Sequence, residues 1–403
     1  VQDLKHLITF ENLLDDAAND LVKEAQKEGQ YAIGYTCYHM PEVLLNVDNC
    51  FSTRMRAPRT GSIDISTYYM SNYTCEFARS LLERGIEGGY EYLDGIAGVD
   101  ACSAMNRCYE HLEILDCNKK PHFFVTHTDV PYKVENYNVD QVATQMRLRL
   151  LDVMHEKLGT DVSDEAIRKA VKEHNELCRV ITEIGNMRKL ENPPVTGYEF
   201  HVICLVSYVC PTAKILPLLR ETLEEIKNRK PDPKPWFRAR VLVVGSEVDD
   251  LDFTRLLEES GAMVVADRYC YGSFPGREEI ILNDEEDVVK QIARHYMKTS
   301  ECPRYMADYK IQQRRDTADR LAKEFGADGI IYEQVKYCDF WAFERPLASH
   351  ILTEEYGWPT LSIDRSYNVH NSGQLRTRFQ AFVEALEIKR IKSQNKEKQE
   401  VPV

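Results

Sequence analysis

The chain has no CxxC pair, although it contains 12 cysteines among its 403 residues. It therefore lacks the local knuckle on which zinc ribbons and small ferredoxins are built. There is no GxxxxGK[ST], which excludes a P-loop nucleotide site, and no GxSxG elbow, HExxH or EF-hand loop. VLVVGSEVDDLDF offers one glycine where a dinucleotide-binding turn needs several. Its Glu247, Asp249 and Asp250 would also repel a pyrophosphate. Basic residues are in deficit, 51 against 65 acidic, for a formal net charge of −14. That balance speaks against nucleic acid and against an anionic membrane surface as partners. The longest apolar stretch, FHVICLVSYVCPTAKILPLL, is interrupted by His201, Pro211, Lys214 and Pro217, so it reads as a buried segment and not a membrane span. The opening VQDLKHLITFENLLDDAAND is amphipathic and carries acids, unlike a signal peptide. A cytoplasmic setting is expected, in which cysteines serve as core thiols or metal ligands, not disulfides.

What is present is a periodic α/β chain without short repeats. Helix is expected up to about Glu28, followed by the strand YAIGY. FARSLLERGIE carries helical periodicity, YEYLDGIAG reads as a helix end and then a strand, and HFFVT (residues 122–126) as a further strand. From about Val139 to Lys230 the pattern is helical, with a helix start at Ser163. KNRKPDPKPWFRAR is a linker by its prolines and charges. After it ARVLVVG, AMVVAD, ADGIIYEQV and PTLSID read as strands, separated by helices that Gly261 and Gly326 close. The expectation is an α/β protein with two parallel-sheet, Rossmann- or flavodoxin-like domains around a helical segment. The boundaries are 1–138, 139–235 and 236–390, with a polar tail at 391–403.

In open parallel sheets, sites form beyond the carboxyl ends of strands. Several cysteines occupy such places: Cys37 follows YAIGYT, Cys102 follows YLDGIAGVDA, Cys270 follows MVVADRY and Cys338 follows GIIYEQVKY. Cys75, in YYMSNYTCEFARS, stands at a helix start, where the positive end of the helix favours a thiolate or an anionic cluster. Cys338 precedes Asp339 among Tyr337, Phe340, Trp341 and Phe343, an apolar shell that serves a cluster or a core equally well. Sulfurs scattered this widely are gathered only by the fold. Cys204, Cys210 and Cys178 read as core residues, and the same is preferred for Cys50, Cys108 and Cys117. The histidines do not cluster in sequence, and none is assigned as a ligand.

The series GYTCYHMPEVLL, MRAPRTG, YYMSNYTCEFARSLLE, YLDGIAGVDACSAMNRCYE, VVADRYCYGS, ADGIIYEQVKYCDFWAFERP and SGQLRTRFQAFVEAL runs through nearly the whole chain. In this it resembles the 2-hydroxyacyl-CoA dehydratase and benzoyl-CoA reductase subunit family. The resemblance implies a lyase or oxidoreductase with a [4Fe-4S] cluster on Cys75, Cys102 and Cys338, an open fourth iron, and a homologous partner subunit. A separate ATP-dependent iron–sulfur activator would supply a low-potential electron for radical dehydration or reduction of a CoA thioester. A second branch of the same family, the double-cubane [8Fe-9S] cluster reductases of small molecules, uses six cysteines. Candidates here are the same three with Cys37, Cys270 and Cys302.

Other candidates rest on their context. Thr36, Tyr38 and His39 flank Cys37 as possible catalytic groups or simple loop caps. Arg54, Arg56 and Arg59 could pair with CoA phosphates or form a solvated loop. Arg376 and Arg378, opening the last helix, are structural or ligand-binding. Two further expectations compete with an enzyme: a non-catalytic electron-relay subunit, and a cluster-free α/β binding protein whose cysteines are all core.

Overall fold

The structure is a computed structural model that describes residues 3–58, 60–231, 233–273, 278–367 and 373–399. It contains two four-stranded sheets in which every pairing is parallel. The first is built from β1 (Tyr31–Tyr35), β2 (Cys50–Arg54), β3 (Gly95–Asp100) and β4 (Phe124–Asp129) in the order β2-β1-β3-β4. The second is built from β5 (Ala239–Gly245), β6 (Ala262–Tyr269), β7 (Gly329–Val335) and β8 (Thr360–Arg365) in the order β6-β5-β7-β8. The two halves thus repeat one winding, and equivalent strand ends can be compared across them.

Both sheets are covered on both faces, as parallel sheets require. Alternate residues of one strand feed different cores. Ala32 and Ile33 of β1 enter separate clusters, as do Val241 and Leu242 of β5. The helical middle contains Asp164–Asn186, Gly197–Val209 and Thr212–Asn228. Ser163 caps the first of these by accepting from Ala166 N, as its sequence suggested. The apolar run becomes the Gly197–Val209 helix, buried on all sides and started by a capping box between Thr196 and Glu199. It packs against both β2 and β6, the outermost strands of the two sheets. Among the described residues no helix is long and apolar enough to cross a membrane.

Three local expectations change. β2 has no apolar alternation, so its sequence CFSTR did not announce a strand, yet all five residues are buried. Its polar groups are met internally: Asn46 Nδ2 donates to Ser52 Oγ, and Thr53 Oγ1 donates to the carbonyl of Val209. The strand read at 122–126 starts instead at Phe124. The last helix, Gly373–Gln399, continues past residue 390 into the segment expected as a tail. Gly261 and Gly326 end their helices with φ of 91° and 58°, conformations that residues with a Cβ seldom adopt.

Candidate functional site

The carboxyl ends of strands from both sheets open onto one cavity of about 110 Å³. Six of the 12 cysteines line it: Cys37, Cys75, Cys102, Cys270, Cys302 and Cys338. These are the three preferred ligands and the three further candidates, and the fold brings all of them together. The other six lie elsewhere, and all 12 are free thiols. Cys204 and Cys108 are fully buried. Cys210 accepts from Asn19, Cys50 contacts Thr160, and Cys178 contacts His174.

The six fall into two groups by origin. Cys75, Cys102 and Cys338 are each the N-cap residue of a helix: Glu76–Ile86, Ser103–Ile114 and Asp339–Glu354. No cap hydrogen bond forms there, but the amides of Ala78 and Phe77 favour the Cys75 thiolate. Met105 and Ala104 do the same for Cys102, and Trp341 for Cys338. Tyr337, with φ of 65°, takes a left-handed turn between β7 and the Cys338 helix. Cys37, Cys270 and Cys302 lie on loops. Their thiols are favoured as thiolates by the backbone amides of His39 at Cys37 and of Arg304 at Cys302, and then by arginines: Arg54 acts on Cys37 and Cys270, and Arg304 and Arg314 act on Cys302. The fields between sulfurs follow the same division. Cys338 feels Cys75 and Cys102, while Cys270 feels Cys302 and Cys37. Each triad also spans the two domains, since Cys338 joins two cysteines of the first and Cys37 joins two of the second.

Burial pushes all six thiols up, Cys37 to about 12 and Cys302 to about 11. In so dry a place they ionise only against a strong positive partner, as a metal would provide. Among the described residues no group of three or more His, Cys, Asp or Glu is gathered tightly enough for a single metal ion. A cluster makes a different demand, because it takes its thiolates on several irons. Two groups of three sulfurs in one enclosed, largely apolar cavity suit such a donor set.

Glu247 lines the same cavity and acts on the thiols of both triads. Burial pushes its carboxyl up to about 7, and the nearby Arg54 works against that rise. The sequence drew attention to Glu247 only as an acid hostile to pyrophosphate. A better signal was available: Glu247 stands two residues beyond β5, as Cys37 stands two beyond β1. Tyr109 was also missed. It reaches the cavity from the Ser103–Ile114 helix and hydrogen-bonds Thr36.

Thr36, Tyr38 and His39 do line the cavity. The Tyr38 hydroxyl is engaged by Thr299, and His39 Nε2 lies 3.3 Å from Ser300 Oγ. Burial, reinforced by Arg304, pushes His39 down to about 3, so its ring stays neutral. Arg54 and Arg56 do not form a solvated loop. Arg54 is 3% exposed, and Arg56 donates to the carbonyl of Asp249 and faces its carboxylate at 3.9 Å. Both guanidiniums are held at the seam between the domains, where they also line a second cavity with Arg84, Thr53 and Thr60. Arg59 lies outside the described residues. Arg376 pairs with Glu259 at 2.8 Å and Arg378 donates to the Ser362 carbonyl, so both tie the last helix to the second domain.

Paired parallel-sheet domains that deliver six strand-end and helix-start cysteines to one cavity define a class of cysteine-lined, two-domain α/β protein. Residues 37–386 match the family described as 2-hydroxyglutaryl-CoA dehydratase, D-component, and the chain belongs to it. The chain is 23% identical over 377 residues to the (R)-phenyllactyl-CoA dehydratase beta subunit of Clostridium sporogenes, a match that covers 94% of this chain and 97% of that protein. It is 22% identical over 317 residues to a benzoyl-CoA reductase subunit of Thauera aromatica, covering 76% and 77%. It is 21% identical over 372 residues to the beta subunit of (R)-2-hydroxyglutaryl-CoA dehydratase of Acidaminococcus fermentans, covering 91% and 95%. The resemblance carried by the motif series is thereby established.

Proposed function

We propose that this chain is an iron–sulfur enzyme whose central cavity holds one large cluster on six cysteines, of the double-cubane [8Fe-9S] kind. Its role would be to reduce a small molecule with low-potential electrons from an ATP-dependent activator protein. The observation that carries this reading is the convergence of six cysteines, in two groups of three, on one cavity. Cys75, Cys102 and Cys338 would hold one half and Cys37, Cys270 and Cys302 the other. When bound, such a cluster supplies one-electron chemistry at low potential.

The chain's own residues would do the rest. Phe77, Tyr109, Phe340 and Trp341 line the cavity and exclude water, which strengthens every electrostatic interaction inside it. Glu247 would hold or release a proton at its carboxylate oxygens near neutral pH, whereas neutral His39 would serve as a hydrogen-bonding group. The buried Arg268–Glu301 pair closes the floor without presenting net charge.

The names of the relatives favour a second reading. In it a [4Fe-4S] cluster on Cys75, Cys102 and Cys338 serves dehydration or reduction of a CoA thioester beside a homologous subunit. The internal hydrogen bonds of Arg54 and Arg56 leave them fewer free donors for CoA phosphates, which weighs toward the first reading. Anaerobic purification with iron and sulfide analysis decides between them. About eight irons per chain supports the six-cysteine site and about four the three-cysteine site, while none overturns both.

A further inference from the structure

Arg54 ends β2 and is 3% exposed. Its guanidinium carbon lies 4.0, 4.8 and 5.7 Å from the ring centres of Tyr271, Tyr208 and Tyr35. These rings come from the loop after β6, from the Gly197–Val209 helix and from β1, so three parts of the molecule meet on one side chain. The planar guanidinium stacks on aromatic faces and donates in fixed directions, as an ammonium cannot. Nε and Nη2 donate to the Thr36 carbonyl at 3.1 and 3.0 Å, and Nη1 donates to the Cys270 carbonyl at 2.6 Å. The Thr36 carbonyl is the one joined to the Cys37 nitrogen. A single side chain therefore grips the backbone at two of the three loop cysteines, one in each domain.

Its charge points the same way. Among the described residues no carboxylate forms an ion pair with Arg54. A buried guanidinium is costly unless it is hydrogen-bonded and balanced by negative groups nearby, and the Glu247 carboxyl that Arg54 acts on is one such group. The cavity that Arg54 lines contains Cys37, Cys270 and Glu247. Resting on the six-cysteine reading above, we propose that Arg54 is a positioning residue. It assembles the Cys37, Cys270 and Cys302 triad across the domain seam and balances the negative charge that those cysteines carry as cluster ligands.

The test uses the full chain, purified anaerobically, as wild type, Arg54→Met and Arg54→Lys. Iron per chain, electron paramagnetic resonance and reduction potential are measured on each. The expected result is a fall in Arg54→Met from about eight irons to about four, the half held by Cys75, Cys102 and Cys338 being retained. Arg54→Lys keeps the charge but cannot span both carbonyls, so it should retain more iron than Arg54→Met and show a shifted potential. Should Arg54→Met fail to fold, Arg54→Lys decides alone, and wild-type iron with an unshifted potential overturns the proposal. A wild-type chain with about eight irons that Arg54→Met matches in iron and potential sinks this inference alone. A wild-type chain with about four irons or none sinks the six-cysteine reading and this inference with it.

Discussion

Cys75, Cys102 and Cys338 begin helices, whereas Cys37, Cys270 and Cys302 sit on loops. The first triad has its favourable field built in, because a helix start supplies oriented amides wherever a helix starts. The second has neighbouring backbone amides at Cys37 and Cys302 and adds guanidiniums: Arg304 from two residues along the chain, Arg314, and Arg54, which reaches Cys270 only through the tertiary fold. The second triad thus adds long-range contacts to local support. The two sheets, wound alike, differ in the same sense near the cavity. In the first, Arg54 is caged by tyrosines, while in the second Arg365 is buried against Glu333 at 2.8 Å beside Ser246.

The largest expected effect tests whether the two triads are equivalent in use. Serine at both Cys75 and Cys338 should empty one half of the site, and serine at both Cys37 and Cys302 the other, each leaving about four irons of about eight. If the first pair removes all iron and the second none, the site holds a single cubane and the comparison dissolves.

Arg365→Met removes one partner of an ion pair with side-chain exposures of 1% and 0%. The expected cost is about 3–5 kcal/mol, from leaving Glu333 buried and unpaired. Chemical denaturation measures it, and a loss below about 1 kcal/mol would show that Ser246 alone suffices for Glu333.

The two domains should also answer pH in opposite directions. Burial pushes Glu258 of the second domain up to about 8, so the native state holds a proton that the unfolded chain, near 4.5, has lost. Stability from this group is full below about 4.5 and is lost as pH rises through about 8. Glu258→Gln keeps the acceptor for Gly197 N and should flatten that decline by an amount on the order of 1–3 kcal/mol. In the first domain burial alone would raise Asp94, but Lys120, His122 and the Ala32 amide outweigh it and hold it low. Its stability is present above its unfolded value of 3.8 and is lost as pH falls through the native one. Asp94→Asn should therefore weaken the protein most at neutral pH and least in acid. Thermal melts across pH that run parallel for the two variants would contradict this.

The smallest effect serves as the control. Cys117 lies outside the cavity, and Cys117→Ser should leave iron unchanged and stability within about 0.5 kcal/mol. Iron loss there would mean that cavity lining is not what selects the ligands.

Much of this was readable in the chain. YAIGY and ARVLVVG are β1 and β5 at their full lengths, because short apolar runs between turn and helix signals admit few other structures. The strand-end rule pointed to Cys37, Cys102, Cys270 and Cys338, the helix start to Cys75, and the six-cysteine branch of the resembled family to Cys302. β2 escaped because its polar residues are satisfied within the fold, Ser52 by nearby Asn46 and Thr53 by distant Val209. Arg54 and Arg56 looked like surface cations for a related reason: part of what cages them comes from residues more than 150 positions away. Glu247 was visible only as a charge, and its burial among thiols followed from packing.

The sequence by itself determined the class of fold, the family and the six cysteines worth watching, since periodicity, helix starts and strand ends are local properties. Only the tertiary structure decided that the six share one cavity, that they divide into two triads, and that Arg54 is buried at the seam between the domains. The reason is physical. Which sulfurs meet, and which charges lie beside them, depends on two domains closing on each other, and no local stretch of chain carries that distance.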